Sequence, residues 1–404
     1  MKSNHIIFVP GLFGWGPGEL GGFSYWGDAL KQFDGSRFKT HWVKCGPISS
    51  FHDRACEVFA HIKGTKINYG ADHSADAGHA QTSRDFTGQA FVPDWSEDNP
   101  VILIGHSAGA QTCLQLQQLL AEKFWGVGFN ENWVEAVVCV AGVINGSTLT
   151  YMSCDETTGR LKGAPGFLVQ SALDFVEVIS LAARPIHDLG RDYDLYLDQW
   201  IGKANATSEE LLAFFENNHR FAEGEDNLAF DLSLQGCLKA NQKFKTGNKT
   251  YYFTLVTRAM HEEGLLGLPF GPKTQQPDKS ISVLLKGPAE FQALKPDFAT
   301  SPILGWGAGD LVIDKWREND GAVSSISQRF PFTARAQPMG GDGIFGRQPE
   351  TIEKGRWYVE DIEAVTGVPF DHFDPVVGAK LKSSEMEAAQ ARLYGKLNAL
   401  LQIL

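Results

Sequence analysis

In the first third of the chain, short hydrophobic runs alternate with segments of helical spacing. The runs at 5–9, 38–44, 101–105 and 134–140 predict strands, and the last two are continuously apolar, which is typical of strands buried on both faces. Helical spacing at 108–124 predicts a helix directly after the third run. Because alternation of strands and helices is typical of a mostly parallel sheet covered by helices, the pattern predicts an α/β fold.

The rest of the chain combines a long helical region, a return of sheet and a final helix. Residues 155–245 are largely helical, and the helix expected at 167–183 is apolar on most of its circumference, so it packs against or covers an apolar surface. Strand character returns at 250–257, and residues 385–404 have the spacing of a surface helix. Residues 45–100 are too long and too polar for an ordinary connection between strands, which indicates an insertion.

The chain has no internal repeat and no long linker that would divide it into separate units. Its 404 residues are therefore expected to form a single domain, 1–404, in which the insertion at 45–100 and the helical lid or cap region at 155–245 enlarge a core sheet. The 43 glycines indicate many tight turns and close backbone approaches rather than a repetitive sequence.

Charge and hydropathy exclude two classes of protein. With 36 basic and 48 acidic residues, the net charge of −12 leaves no basic surplus for nucleic acid. The longest nearly uninterrupted apolar run, 136–144, is far shorter than the roughly 20 residues of a membrane-spanning helix. No leader peptide is visible, so the protein is expected to be cytoplasmic unless a leader is missing and the protein is secreted. The six cysteines form no close pair and are expected to be buried free thiols.

The most informative motif is Gly-His-Ser-Ala-Gly at 105–109, between the predicted strand and the predicted helix. Glycines on both sides of Ser107 allow the sharp strand-to-helix turn that exposes a nucleophilic serine in α/β-hydrolases. The motif by itself is a weak signal, and an ordinary glycine-rich turn with an incidental serine is the alternative. Its position between a buried strand and a helix favours Ser107 as a nucleophile.

A serine nucleophile needs an imidazole to accept its proton, and in this fold the acid and then the histidine follow the serine along the chain. His372 is the only histidine after residue 261, and it lies in a turn-rich loop before the final helix. Asp320, followed by a glycine in a turn, is the expected acid, with Asp314 and Asp371 as alternatives. The expected role of Asp320 is to orient the imidazole and to stabilise its protonated form.

Ester hydrolysis also needs two backbone amides that stabilise the negatively charged oxygen of the intermediate. In α/β-hydrolases one amide belongs to the residue after the nucleophile, which is Ala108 here. The other comes from the loop after an early strand, and Leu12 in the glycine-rich loop after the first predicted strand is the candidate.

The insertion contains Asp53, His73 and His79 within 27 residues. Imidazole and carboxylate ligands without cysteine suit a tetrahedral zinc site, although the spacing matches no zinc-finger signature. A polar, histidine-rich insertion without a metal is the alternative interpretation.

Several segments together resemble the thermoalkalophilic bacterial lipases, an α/β-hydrolase family with an inserted zinc-binding region. They occur in family order over most of the chain, which is much more specific than the serine motif alone. The segments are GLFGWG (11–16), GFSYWG (22–27), DRACE (53–57), NYGADH (68–73), GHA (78–80), GHSAG (105–109), LDQW (197–200), FDLS (230–233) and WRENDG (316–321).

The resemblance implies the same catalytic serine, aspartate and histidine as the argument from chain order. It also implies a structural zinc ion bound by Asp53, His73, His79 and, far along the sequence, Asp231. Family members bind calcium through carboxylates near the catalytic histidine, which points to Asp374, although the spacing of the acidic residues departs from the family's pattern there.

The sequence thus predicts a lipase that hydrolyses the ester bonds of acylglycerols, with the apolar helix at 167–183 as a lid over the site. Its expected partner is a lipid or ester substrate, at a lipid–water interface. The alternatives are a carboxylesterase or polyester hydrolase acting on soluble or polymeric esters, and an α/β-hydrolase-fold binding protein without catalysis.

Overall fold

The computed structural model describes residues 4–164, 166–182, 193–203, 206–264, 273–294, 314–332 and 339–404. The strands are β1 (His5–Val9), β2 (Lys39–Trp42), β3 (Lys66–Asn68), β4 (Thr82–Asp85), β5 (Val101–His106), β6 (Val134–Val140), β7 (Tyr251–Val256), β8 (Met260–Gly264), β9 (Lys273–Pro277), β10 (Met339–Asp342) and β11 (Trp357–Asp361). The α-helices are α1 (Phe51–Lys63), α2 (Ala71–Ala77), α3 (Ala108–Ala121), α4 (Phe167–Ala182), α5 (Asp198–Ile201), α6 (Ser208–Glu216), α7 (His219–Glu223), α8 (Leu228–Asp231), α9 (Leu234–Lys243), α10 (Val283–Leu294), α11 (Ile362–Thr366), α12 (Val377–Lys382) and α13 (Ser384–Ile403).

Seven strands form one sheet in the order β10-β11-β7-β6-β5-β1-β2, and every neighbouring pair is parallel. This arrangement confirms the predicted α/β fold with its mostly parallel central sheet. The five strands predicted from hydrophobic runs are β1, β2, β5, β6 and β7, with ends that differ by at most two residues. The hydrophobic pattern does not predict β10 and β11. For β10 the reason is its sequence, MGGD, which has almost no apolar character.

The continuous apolar runs of the central strands reflect burial on both faces of the sheet. In β5, Ile102 and Ile104 belong to one hydrophobic core, whereas Val101 and Leu103 belong to the other. Helix α13 contributes leucines to the first core, and helices α1 and α3 contribute to the second. Since successive side chains of a strand point to opposite faces, every position of such a strand must be apolar.

The strand order places a crevice at one end of the sheet. β1 lies between β2 and β5. The chain runs from β1 to β2 on one side of β1, and the later strand β5 lies on the other side of β1. The loops after β1 and β5 therefore diverge at the carboxyl ends of these strands, which is where open α/β sheets bind ligands. Residues 10–14 and Ser107 lie in these two loops.

The region 45–100 contains α1, α2 and a small antiparallel pair formed by β3 and β4 outside the main sheet. Helix α1 packs against α3 and so belongs to the layer that covers the sheet. The Ser50 side chain caps α1 by accepting a hydrogen bond of 3.2 Å from the Asp53 amide, and this cap places Asp53 in the first turn.

Helices α4 to α9 occupy the region 155–245, as the sequence predicts, and α4 matches the apolar helix expected at 167–183. Residue 183, the last of that expected helix, lies outside the described residues. All six cysteines are buried free thiols, in agreement with the prediction. None of the helices in the described ranges has the length and hydrophobicity that crossing a bilayer requires.

Candidate active site and metal centre

Ser107 lies on a sharp turn between β5 and α3, with the backbone angles φ 56° and ψ −125°. The flanking glycines are required by close backbone approaches. A Cβ atom at Gly105 would lie 2.3 Å from the carbonyl oxygen of Gly109, and one at Gly109 would lie 2.2 Å from that of Val9. The strained serine backbone and the two glycines match the strand–turn–helix geometry that the motif predicts.

The structure brings Ser107, His372 and Asp320 into one hydrogen-bonded chain. Ser107 Oγ lies 2.8 Å from His372 Nε2, and His372 Nδ1 lies 2.8 Å from Asp320 Oδ2. All three side chains are buried. If Nδ1 carries the hydrogen and donates it to the carboxylate, Nε2 accepts the hydrogen of the serine hydroxyl, which is the arrangement that general-base activation of a serine needs.

The Asp320 carboxylate is held by four further donors. Oδ1 accepts hydrogen bonds from the amides of Ala322 and Val323, at 2.9 and 2.8 Å. Oδ2 accepts from Thr257 Oγ1 at 2.5 Å and from Gln328 Nε2 at 3.1 Å. These bonds fix the direction of the carboxylate toward the imidazole.

The two alternative acids have different positions. The Asp371 carboxylate pairs with Lys382 rather than with His372. The side chain of Asp314 lies outside the described residues.

The loop after β1 lies close to Ser107. A Cβ atom at Gly11 would lie 2.7 Å from Ser107 Cβ. The amides on either side of Leu12 are occupied, since Gly11 donates to Tyr25 Oη at 2.9 Å and Phe13 donates to the Pro47 carbonyl at 3.0 Å. Leu12 itself lines the cavity in front of Ser107, so the loop is anchored on both sides of the residue expected to supply the second amide.

A second histidine, His106, connects this loop to the backbone of His372. His106 Nδ1 lies 2.7 Å from Tyr25 Oη, and His106 Nε2 lies 2.8 Å from the carbonyl oxygen of His372. Because a carbonyl only accepts, Nε2 carries the hydrogen and Nδ1 accepts from the tyrosine hydroxyl. Burial holds the pKa of His106 well below its usual value, so the ring is neutral.

In front of Ser107 and His372 lies a cavity of about 490 Å³. Most of its lining residues are hydrophobic, and they include residues of the loop after β1, of the segment 143–154, of α4 and of α10. Helix α4 contributes Phe167, Leu168, Phe175 and Val178. An apolar cavity that contains a few polar groups suits a substrate with a hydrophobic chain and a reactive polar group.

The expected zinc ligands are only partly correct. Asp53, His73 and His79 come together as predicted, but the fourth member of the cluster is Asp226, not Asp231. One ligand atom from each of the four residues lies within 4.8 Å of the others. His73 Nε2 is 3.1 Å from Asp53 Oδ1 and 3.2 Å from Asp226 Oδ1, and His79 Nε2 is 3.2 Å from Asp226 Oδ2.

Asp231 has a different role because it lies at the end of α8 and points toward the start of α1. Its Oδ2 accepts a hydrogen bond of 2.5 Å from the amide of Phe51. Burial and, to a lesser extent, the nearby charge of Asp226 raise the pKa of this carboxyl to about 8. Asp226 lies in the loop before α8 and reaches the two histidines from there.

The residues of the cluster fit a tetrahedral cation. His79 Nε2 and both carboxylate oxygens of Asp226 are buried, and among the described residues no hydrogen bond of good geometry satisfies them, although these atoms lie close to one another and to His73. Asp53 is oriented by Gln199, whose Nε2 donates to Asp53 Oδ2 at 2.9 Å. Two imidazoles and two carboxylates, with one carboxylate held by a neighbouring amide, are a donor set that zinc accepts.

The residues around Asp374 do not fit calcium, in contrast to what the resemblance implies. Lys382 Nζ lies 2.7 Å from Asp374 Oδ2 and also 2.7 Å from Asp371 Oδ2. An ammonium group therefore already pairs with the carboxylate that the resemblance assigns to calcium.

Sequence comparison finds lipases among the proteins similar to this chain. A family model described as "Lipase-like, C-terminal domain" matches residues 3–131. Lipase 2 of Staphylococcus aureus is 26% identical over 426 residues, which cover 98% of this chain and 54% of that protein. Lipase 1 of Staphylococcus aureus strain NCTC 8325 is 25% identical over 367 residues, which cover 87% of this chain and 47% of that protein.

The chain is similar in sequence to bacterial lipases. This similarity confirms the resemblance found in the sequence at the level of bacterial lipases in general. The chain spans about half the length of the curated relatives it matches.

Solved structures support the fold of this chain. EstA from Clostridium botulinum has a TM-score of 0.74 at 23% identity and covers 100% of this chain and 88% of that chain. The Staphylococcus hyicus lipase has a TM-score of 0.70 at 21% identity and covers 99% of this chain and 96% of that chain. Lipase 1 from Pelosinus fermentans has a TM-score of 0.71 at 24% identity and covers 98% of this chain and 99% of that chain.

Sequence reasoning misses two groups of residues. His106 and Tyr25 both lie within segments that carry the resemblance, but only their packing shows that they contact the loop after β1 and the backbone of His372. Asp226 lies five positions before the expected Asp231, and no local pattern distinguishes the two carboxylates.

Proposed function

We propose that this protein is a lipase that hydrolyses the carboxylic ester bonds of acylglycerols through a serine acyl-enzyme mechanism. The observation that carries the proposal is the hydrogen-bonded chain from Ser107 through His372 to Asp320, which opens into an apolar cavity. The names of the bacterial relatives point to the same chemistry.

The geometry accounts for each step of the proposed reaction. Ser107 Oγ attacks the ester carbonyl carbon while His372 Nε2 accepts the hydroxyl proton, and Asp320 stabilises the protonated imidazole. The amides of Ala108 and Leu12 donate to the oxygen that becomes negatively charged. His372 then returns the proton to the departing alcohol, and a water molecule activated by the same imidazole hydrolyses the acyl-enzyme.

The cavity favours a substrate with a long hydrophobic acyl chain. Phe167 and Val178 of α4 line the cavity and are also 41% and 39% exposed to solvent. A helix with apolar side chains on both its inner and its outer surface can face a lipid phase when it moves from the site. We therefore assign α4, within the region 155–245, as the lid of a single domain that spans 1–404.

A zinc ion bound by Asp53, His73, His79 and Asp226 would have a structural role in this enzyme. When bound, it would cross-link the region 45–100 to the loop before α8 and neutralise two carboxylates. Four protein ligands leave no open coordination position for a substrate, which argues against catalysis by the metal.

Secretion after removal of a leader stays a prediction from the resemblance.

The proposal is tested with emulsified triacylglycerols and with soluble esters of increasing acyl chain length, for the wild type and for Ser107→Ala. We expect hydrolysis of long-chain substrates by the wild type, a rate that rises sharply above the substrate's solubility limit, and stoichiometric labelling by a fluorophosphonate that Ser107→Ala abolishes. Preference for short soluble esters with no such rise would indicate a carboxylesterase instead. Absence of both labelling and hydrolysis would indicate a binding protein.

A further inference from the structure

Two buried carboxylates flank the proposed catalytic base in the sequence and share one ammonium group. Asp371 and Asp374 lie on either side of the segment that contains His372, and both side chains have no solvent exposure. Lys382 Nζ lies 2.7 Å from an oxygen of each carboxylate. Lys382 is the last residue of α12 and is the shared counter-ion of the turn.

The carboxylates also hold the backbone of this turn. Asp371 Oδ1 accepts a hydrogen bond of 2.9 Å from the amide of Phe373, and Asp374 Oδ2 accepts one of 2.8 Å from the amide of Asp371. Asp371 Oδ2 accepts a further bond of 2.7 Å from the amide of Ser282, just before α10. The direction of both carboxylates therefore determines the shape of the backbone that carries His372.

The ammonium group is needed to keep the two carboxylates together. Both are removed from water, so their mutual repulsion is screened little, and Lys382 places its charge at hydrogen-bond distance from both. Without it, the carboxylates would separate or draw in water or a cation. Either change would move the turn and with it the imidazole, whose reactive contact with Ser107 depends on a distance of 2.8 Å.

We propose that Lys382 is a positioning residue that serves as the internal cation of the Asp371–Asp374 turn, so that His372 is placed without a divalent cation at this turn. The proposal rests on the proposed esterase function for its kinetic readout. Its stability and calcium readouts do not depend on that function.

The test compares Lys382→Met, Lys382→Arg and Lys382→Ala with the wild type. Lys380→Met is the matched control, because Lys380 lies on the same helix but is 43% exposed and pairs loosely with Asp28 at 3.5 Å. Each full-length protein is stripped of metals, supplied again with zinc, and measured with calcium withheld or added. The readouts are kcat, KM and the melting temperature Tm.

We expect the wild type and Lys380→Met to be indifferent to calcium in all three readouts. Lys382→Met should lose at least about tenfold in kcat with little change in KM, since a small displacement of a catalytic group costs rate rather than binding. Lys382→Arg should retain most of kcat. Lys382→Ala, which vacates the space between the carboxylates, should recover part of its kcat and gain Tm when calcium is added.

If Lys382→Met does not fold, Lys382→Met combined with Asp374→Asn removes one of the two unpaired buried charges and is expected to fold with low kcat. A wild type that loses kcat and Tm without calcium and regains them with it would overturn the proposal. The proposal would also be overturned if Lys382→Met, or the double variant, folds and has the same kcat as Lys380→Met. Failure of the proposed function gives a different result, in which the wild type hydrolyses no ester. The effect of calcium on the Tm of the wild type and the variants still tests the role of Lys382 in that case.

Discussion

The imidazole of His106 donates a hydrogen bond of 2.8 Å to the backbone carbonyl of His372. The other nitrogen of His106 accepts from Tyr25, whose hydroxyl oxygen accepts from the Gly11 amide at 2.9 Å. One buried chain therefore connects the loop proposed to supply the oxyanion amide with the backbone of the proposed base. The nucleophile, which follows His106 in the sequence, lies between the two.

This chain predicts that Tyr25→Phe lowers kcat by about tenfold to a hundredfold with little change in KM, because a buried hydrogen bond that is lost leaves unsatisfied partners and lets both groups shift. Steady-state kinetics on a soluble ester measure the split between the two constants. His106→Asn, which keeps one donor and one acceptor, should lose less activity than His106→Ala. Equal kcat in Tyr25→Phe and the wild type would show that the loop and the base are held by other contacts.

The role of Asp320 as the acid of the proposed triad can be tested by a substitution that leaves the fold of the protein unchanged. Asp320→Asn keeps the size of the side chain but removes the charge, and in serine hydrolases such a change lowers kcat by about 10⁴-fold through the wrong imidazole tautomer. Asp342→Asn is the control, because this carboxylate is 70% exposed, pairs with Arg329 and has no contact with His372. We expect the large loss only for Asp320→Asn, measured as kcat/KM in proteins whose circular dichroism is unchanged.

The corrected metal cluster predicts different effects for two nearby aspartates. Asp226→Asn should reduce bound zinc, measured by elemental analysis, and should lower Tm. Asp231→Asn should retain zinc, because its carboxyl accepts an amide hydrogen bond that an asparagine oxygen also accepts. Removal of zinc with a chelator should lower Tm at a concentration that leaves kcat at room temperature unchanged, as for a structural site. Zinc loss in Asp231→Asn alone would restore the assignment derived from the resemblance.

An ion pair between the region 45–100 and the segment 194–198 predicts a pH dependence of stability. Arg84 Nη1 lies 2.5 Å from Asp194 Oδ2, and Arg84 Nε lies 2.6 Å from Asp198 Oδ2. Burial opposes ionisation of Asp194, but its hydrogen bond to Arg84 lowers its pKa to about 2. Because this pKa is below that of the unfolded chain, the pair stabilises the fold above about pH 4, and the contribution is lost as the pH falls toward 2.

We expect Asp194→Asn to lower the free energy of unfolding by about 1–2 kcal/mol at pH 7 and by much less near pH 2.5. Urea unfolding at the two pH values measures this difference. In a double-mutant cycle, Arg84→Met should remove most of the effect of Asp194→Asn. A loss that is equal at both pH values would mean that Asp194 acts through packing and not through its charge.

The sequence by itself determined the features that depend on local structure. Continuous apolar runs identified β5 and β6, because strands of a parallel sheet are covered on both faces. The glycines at 105 and 109 identified the turn of Ser107, because their neighbours leave no space for a side chain. Chain order left His372 as the histidine that could follow a late acid, and the structure places its ring 2.8 Å from both Ser107 and Asp320.

Only the tertiary structure decided which of several similar side chains meet. Asp226 and Asp231 are both carboxylates near one helix, and the choice between them depends on how that helix lies against α1. Lys382 reads as an ordinary lysine at a helix end, yet its ammonium lies between Asp371 and Asp374. Such contacts join residues from distant parts of the chain or from separate turns, so their distances follow from the packing of whole elements and leave no periodic signal in the sequence.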